Sequence, residues 1–342
     1  MKAAYVGITS PGSTSRMRAE WLRKLTPGWE WEWMDTDPPL QDSARVWRTL
    51  AFRAKRGHAV NRINEMVTRR FRDKSLDLVW VDKGVFLRID TVRDIRSRTR
   101  RLVHYTPDTA FRANRSSHFE STVGLYDVVV TTKSFDVDDY KRRIDPEKLL
   151  VTTQGYDPSI HYPRHTDDER RREALFVGLA EPDRERCIAA LLRHEIPVRL
   201  GGRGWGPFVY RYRSNPLLAY EGEDIFGDDY ADLLSKSWVG LGLLSKKFPE
   251  LHTTRTFEIP ACGAVLATEQ TSETTVFFND SEALFFTDHA SLAARLGPLL
   301  RDDTVSSLSE TASAGKRRVV ADGRDYESIL AAILSDARLS LP

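Results

Sequence analysis

The chain has 342 residues, 41% hydrophobic and 29% charged, a balance that excludes a disordered protein and fits one large or two ordinary domains. Its two cysteines, Cys187 and Cys262, exclude a disulfide framework and a cysteine-based metal cluster. Net charge is only +2, but residues 1–160 hold 29 Lys+Arg against 21 Asp+Glu while the remainder holds 22 against 28. Two domains with different partners would give that asymmetry, and so would two halves that attract each other.

No apolar run approaches the roughly 18–20 residues that cross a bilayer. The opening MKAAYVGITSPG reads as a first strand rather than a signal peptide, so a reducing, cytoplasmic setting is expected.

The front half alternates strand and helix signals. A strand over 3–9 ends in the turn cluster SPGSTS, and a helix over 15–25 carries Met17, Trp21, Leu22 and Leu25 at helical spacing. WEWEWMD (29–35) alternates with period two and reads as a strand. Residues 42–74 read as helical, with Val60, Ile63, Val67 and Phe71 on one face and arginines opposite. That basic run fits a solvated face, an anionic acceptor, a membrane surface or nucleic acid. The apolar run 76–82 has the character of a strand buried on both faces. A helix at about 91–98 and strands over 101–107, 126–132 and 148–155 follow.

The polar, proline-containing stretch at 159–173 reads as a linker between domains 1–158 and 174–323. The pattern then restarts: strand 174–180, a helix, strand IPVRLGG, helix DDYADLLSKS, strand WVGLGLLS, then HTTRTFEIPACGAVLAT (252–268). A strand over 282–288 and a helix over 289–302 follow. Residues 324–342 form a last helix that packs back on the first domain. Strands alternating with helices give parallel sheets, and ligands bind beyond the C-terminal strand ends.

One such end is the 252–268 stretch. Thr253 or Thr254 caps a helix there, and Gly263 fits the position that ends it. The helix N-terminus and the Arg255 fork suit phosphate oxygens, with Thr256 beside them. Glu258, one turn in, suits two vicinal ribose hydroxyls. The same residues also fit an ordinary capped helix with an Arg–Glu pair at i, i+3. Glu250 precedes Glu258 by eight residues.

That Glu–x7–Glu spacing resembles the donor region of retaining GT-B glycosyltransferases. Arg255, Phe257, Glu258, Ala261, Cys262 and Gly263 more closely resemble the R-x-F-E-x-x-A-C-G signature of the spore-maturation CgeB-like group. ALFVG, LGGRGW, EALFFTD, YTPD and QGYDPSIHYP extend the similarity along nearly the whole chain. The resemblance implies an α/β fold of two Rossmann-like doubly wound domains facing across a cleft. It implies a hexosyltransferase that takes a nucleotide-diphosphate sugar without a metal or other cofactor. LHTTRTF, between the glutamates, lacks the glycine-rich character of the larger retaining families, which leaves retention or inversion open.

The resemblance assigns the donor to Gly178, Arg184, Gly202, Trp205, Thr253, Thr254, Arg255, Thr256 and Glu258, with Glu250 at the sugar. It assigns the acceptor to the front domain, at Gly12, Ser13, Asp82, Lys83 and Tyr105. Asp108, past a strand end and a proline turn, is the candidate base. The acceptor is open among a glycan, a natural product, a protein and a nucleic acid, with peripheral membrane contact compatible. Two alternatives stay beside this reading: a non-catalytic nucleotide-sugar-binding or structural protein on the same scaffold, and a nucleic-acid-modifying glycosyltransferase.

Overall fold

A computed structural model describes residues 1–112, 114–301 and 305–339, apart from the side chains of Arg45, Leu50 and Val305. The chain divides into two compact units, one of residues 1–153 with 326–342, the other of residues 154–325.

The first unit is built on a six-stranded parallel sheet. Its strands are β1 (Lys2–Gly7), β2 (Glu30–Asp35), β3 (Leu76–Asp82), β4 (Thr99–Thr106), β5 (Val128–Thr131) and β6 (Leu149–Val151). They lie in the order β2-β1-β3-β4-β5-β6, so the chain reverses its direction of winding at β1, and β1 and β3 flank that switch point. The central strands β3 and β5 are apolar because helices cover both faces. β2 sits at an edge, half-exposed, which explains its alternating sequence.

The long basic stretch forms two main helices, Arg45–Ala54 and His58–Phe71, rather than one. Lys55 adopts a left-handed φ of 53° and Gly57 a φ of 109°, which ends one helix and starts the next. The helix Tyr326–Leu334 packs against the helix Thr14–Leu25 of the same unit.

A second six-stranded parallel sheet forms the other unit. Its strands are β7 (Arg171–Val177), β8 (Val198–Gly201), β9 (Leu218–Tyr220), β10 (Ser237–Gly242), β11 (Val265–Glu269) and β12 (Leu284–Phe286), in the order β12-β11-β10-β7-β8-β9. Here β7 and β10 flank the switch point. Residues 154–170 belong to this unit, with Tyr156, Asp157 and His161 buried, and β7 begins within the stretch expected to be a linker.

The elements outside the sequence expectations include β9, the helix Gly206–Arg211 and the helix Val305–Ala321. The last has a sparse apolar stripe, but its small residues allow close approach. A Cβ on Gly315 would lie 2.6 Å from the Glu282 carbonyl oxygen. Residue 302, the end of an expected helix, falls outside the described residues; that helix is described over His289–Arg301.

Candidate functional site

In each unit, the side chains singled out by the sequence gather at the sheet's switch point, where strand C-termini diverge and leave a crevice.

In the second unit, β7 ends at Val177 just before Gly178, and β10 ends at Gly242 just before Leu243. The helix Arg255–Ala261 starts beside them. Arg255 spans the crevice: Nη1 donates to the Val177 carbonyl at 3.5 Å and Nη2 to the Leu243 carbonyl at 3.4 Å. Arg184 reaches the same place from the helix Pro182–Arg193, with Nη1 to Leu179 O at 3.0 Å and Nη2 to Leu243 O at 3.3 Å. Both guanidinium groups lie over the Phe176 ring, about 5.5 Å from its centre. The Nε atoms of both arginines and the hydroxyl of Thr253 are buried without a hydrogen-bond partner. Burial, and then repulsion from Arg255, pull the Arg184 pKa down to about 10, against the pull of Glu181, Glu250 and Glu269.

Two glycines let the chain pack closely here. A Cβ on Gly178 would lie 3.2 Å from Arg255 Nη1. Gly202 has a φ of +106°, and a Cβ there would lie 2.4 Å from the Gly178 carbonyl oxygen, so only glycine fits. Trp205 corrects an expectation. It is 0% exposed, its indole N–H donates to Gly178 O at 2.9 Å, and Phe176 and Phe208 pack against it edge-to-face. No surface is left to lie against a base or sugar, so it braces Gly178 instead.

The first turn of the Arg255–Ala261 helix is tied internally. Thr253 N donates to Thr256 Oγ1 at 3.1 Å, and the amides of Phe257 and Glu258 both donate to Thr254 O at 2.9 Å. Thr254 itself is helical and makes no side-chain cap. The loop before it is pinned by His252, which the sequence reading passed over: Nε2 accepts the Gln154 amide at 3.0 Å, and Nδ1 donates to Glu273.

Glu258 is buried, its Oε2 accepting from Tyr230 Oη at 3.2 Å. His161 Nδ1 lies 3.1 Å from both the Asp157 amide nitrogen and the Asp157 carbonyl oxygen, and its Nε2 lies 3.9 Å from Glu258 Oε1. Neither Tyr230 nor His161 carried a sequence signal, since each sits far from Glu258 in the chain. Glu250 is half-buried and accepts the Ser245 amide at 3.0 Å. It therefore shapes the loop after β10 and adds negative charge beside Arg184.

In the first unit a cavity of about 180 Å³ opens beyond β1, β3 and β4. Ser13, Asp82, Lys83 and Asp108 line it; Gly12 and Tyr105 do not. Gly12 has a φ of +77°, and Ser13 caps the Thr14–Leu25 helix by accepting Arg16 N at 3.2 Å. Tyr105 is a second correction. It is fully buried between Trp80, stacked at 5.8 Å, and the Arg18 guanidinium, 4.8 Å over its ring, and burial pushes its phenol up to about 12. It supports Arg18 rather than an acceptor.

Arg18, also unmarked in the sequence, is 0% exposed and pairs with the buried Asp82 at 2.8 Å, where Tyr5 Oη also donates at 2.8 Å. Lys83, at a left-handed φ of 66°, pairs with Asp108 at 2.8 Å, and Asn114 Nδ2 donates to the same carboxylate oxygen at 2.9 Å. Burial favours the neutral acid, but Lys83 outweighs it and holds Asp108 below the usual carboxylate range. His104 faces the core, stacked on Phe119 at 4.4 Å, and burial lowers its pKa to about 4.

Among the described residues no group of three or more His, Cys, Asp or Glu side chains is placed to hold a metal. Nor is any helix among them long and apolar enough to cross a membrane.

The sheet order defines the class: two six-stranded parallel-sheet units, each with a strand switch point, the fold of GT-B glycosyltransferases. Similar solved structures include sucrose-phosphate synthase from Thermosynechococcus elongatus, 14% identical over 98% of both chains with a TM-score of 0.69. A glycosyltransferase from Rickettsia africae is 11% identical over 97% of this chain and 96% of its own, at 0.66. Anabaena HepE in complex with UDP and glucose is 13% identical over 98% and 99%, at 0.65. At these identities the likeness is one of fold. Residues 180–335 match the model of a family described as glycosyl transferase-like. No curated protein matches the chain.

Proposed function

We propose that the protein is a glycosyltransferase moving a sugar from a nucleotide-diphosphate donor, with the donor in the β7/β10 crevice and the acceptor in the first unit's cavity. The observation that carries this reading is the Arg184–Arg255 pair: two close cations with unpartnered buried Nε atoms at a strand switch point. A diphosphate adds negative charge beyond what Glu181 gives Arg184.

In this reading Arg255, with Arg184 behind it, stabilises the charge that grows on the departing diphosphate, so the step needs no metal. Glu258, oriented by Tyr230 and His161, accepts from the ribose hydroxyls. Glu250 fixes the loop that borders the sugar. Asp108 is the base that takes the acceptor's proton. The UDP and UDP-glucose complexes of Anabaena HepE favour uracil as the base and a hexose as the sugar. The two buried free cysteines fit a reducing, cytoplasmic setting.

A donor-hydrolysis screen over common nucleotide sugars, without acceptor, tests the reading. Release of nucleoside diphosphate from at least one donor, abolished by Glu258→Ala, is expected. Binding without hydrolysis or transfer would instead favour the non-catalytic alternative.

A further inference from the structure

The first unit's cavity holds more positive charge than its walls neutralise. Four ionisable acids and lysines line it: Lys55, Asp82, Lys83 and Asp108. Asp82 is matched by Arg18 and Asp108 by Lys83, each at 2.8 Å. Lys55 is left over. It is only 7% exposed and is fixed at the left-handed end of the Arg45–Ala54 helix, while its backbone carbonyl binds His118 Nε2 at 2.9 Å. Its Nζ lies 5.2 Å from the centre of the Phe86 ring and 5.8 Å from that of Phe52. Ring faces attract an ammonium but do not replace the hydrogen bonds it leaves in water. Burial pulls the Lys55 pKa below the ordinary lysine value, with Asp108 attracting and Lys83 repelling it. Among the described residues no carboxylate comes within ion-pair distance of it.

We propose that this cavity binds the carboxylate of a small acceptor, with Lys55 Nζ as its counter-ion and Val6, Ile63, Phe86 and Phe119 receiving its apolar body. One excess positive charge between two aromatic rings matches a monoanion. A phosphate monoester would bring a second charge, and among the described residues that line the cavity no second unpaired cation meets it. The proposal deepens the acceptor reading above and rests on it for the word acceptor; carboxylate binding itself is tested without any transfer.

The test is saturation-transfer NMR on the full chain with benzoate, its neutral isostere benzamide and phenyl phosphate, run beside calorimetry with UDP. Benzoate is expected to bind at least tenfold tighter than benzamide and tighter than phenyl phosphate. Lys55→Met should abolish that preference and Lys55→Arg should keep it, with UDP affinity unchanged in both. Equal binding of benzoate and benzamide overturns the proposal, and because that comparison uses the wild-type protein, it holds even if Lys55→Met fails to fold. Preference for phenyl phosphate overturns the carboxylate assignment. Failure of UDP to bind, with benzoate selectivity intact, sinks the donor reading and leaves the carboxylate site standing.

Discussion

Arg184 and Arg255 share one acceptor: Nη2 of each donates to the Leu243 carbonyl, at 3.3 and 3.4 Å. Two guanidinium groups converging in this way repel each other, and the depressed pKa of Arg184 records burial and that repulsion together. Glu181, paired with Arg184 at 3.3 Å, offsets part of the cost. An anion entering the crevice would offset more.

Arg255→Ala therefore separates binding from folding. Loss of a charged hydrogen bond costs about 1.5–3 kcal/mol, so UDP affinity is expected to fall roughly tenfold to 100-fold. Relief of the repulsion compensates the fold, and the thermal midpoint should move by less than about 3 °C. Calorimetry and a melting curve on the same sample check both parts. A large drop in midpoint with unchanged UDP affinity would make Arg255 structural.

Gly202→Ala should damage the crevice from the backbone. The added Cβ meets Gly178 O at 2.4 Å and a φ of +106° strains any L side chain. A stability loss of about 1–3 kcal/mol is expected with donor binding lost. Urea unfolding measures the first effect and UDP titration the second. Gly206→Ala, at a site with open space around it, should change neither.

Arg18 and Asp82 form a buried pair that should show strong non-additivity. Arg18→Met alone leaves an unmatched buried carboxylate and should cost about 3–5 kcal/mol. Arg18→Met with Asp82→Leu removes both charges and should recover most of that. A double-mutant cycle by urea unfolding is the measurement. Additive losses would show that the pair does not act as a unit.

His104 should make the protein acid-sensitive. Its folded pKa of about 4 lies below the ordinary 6.5, so the unfolded chain binds the proton more readily between those values. The neutral ring's contribution is fully present above pH 6.5 and is lost as pH falls toward 4, by about 3 kcal/mol at the end of that window. His104→Leu removes the titrating group, so the stability gap between pH 7 and pH 4.5 should narrow relative to wild type. An unchanged gap would contradict the assignment.

The fold was legible because strands such as Leu76–Asp82 and Val128–Thr131 are short, mostly apolar runs, as parallel strands covered on both faces tend to be. The single helix expected over 42–74 became two main helices because Lys55 takes the left-handed conformation without a glycine to announce it. The helix Val305–Ala321 escaped notice because small residues, rather than a regular apolar stripe, fit it to its neighbours.

At the sites, Arg255, Glu258 and Gly202 carried local signals: a fork after a threonine run, an acid one turn in, a Gly-Gly step at a strand end. Trp205 and Tyr105 misled because an aromatic beside a binding loop has the same sequence appearance whether it faces a ligand or braces the loop from below. Arg18, Lys55, Tyr230 and His161 were unreadable because their significance comes from partners, or the lack of one, that only folding brings near.

The central claim is that the β7/β10 crevice holds a nucleoside diphosphate through Arg255. Isothermal titration of UDP into the wild-type chain and into Arg255→Ala tests it most directly. The account predicts saturable binding to the wild type and at least tenfold weaker binding to the variant. Saturable binding of equal strength to both, or none to the wild type, would contradict it.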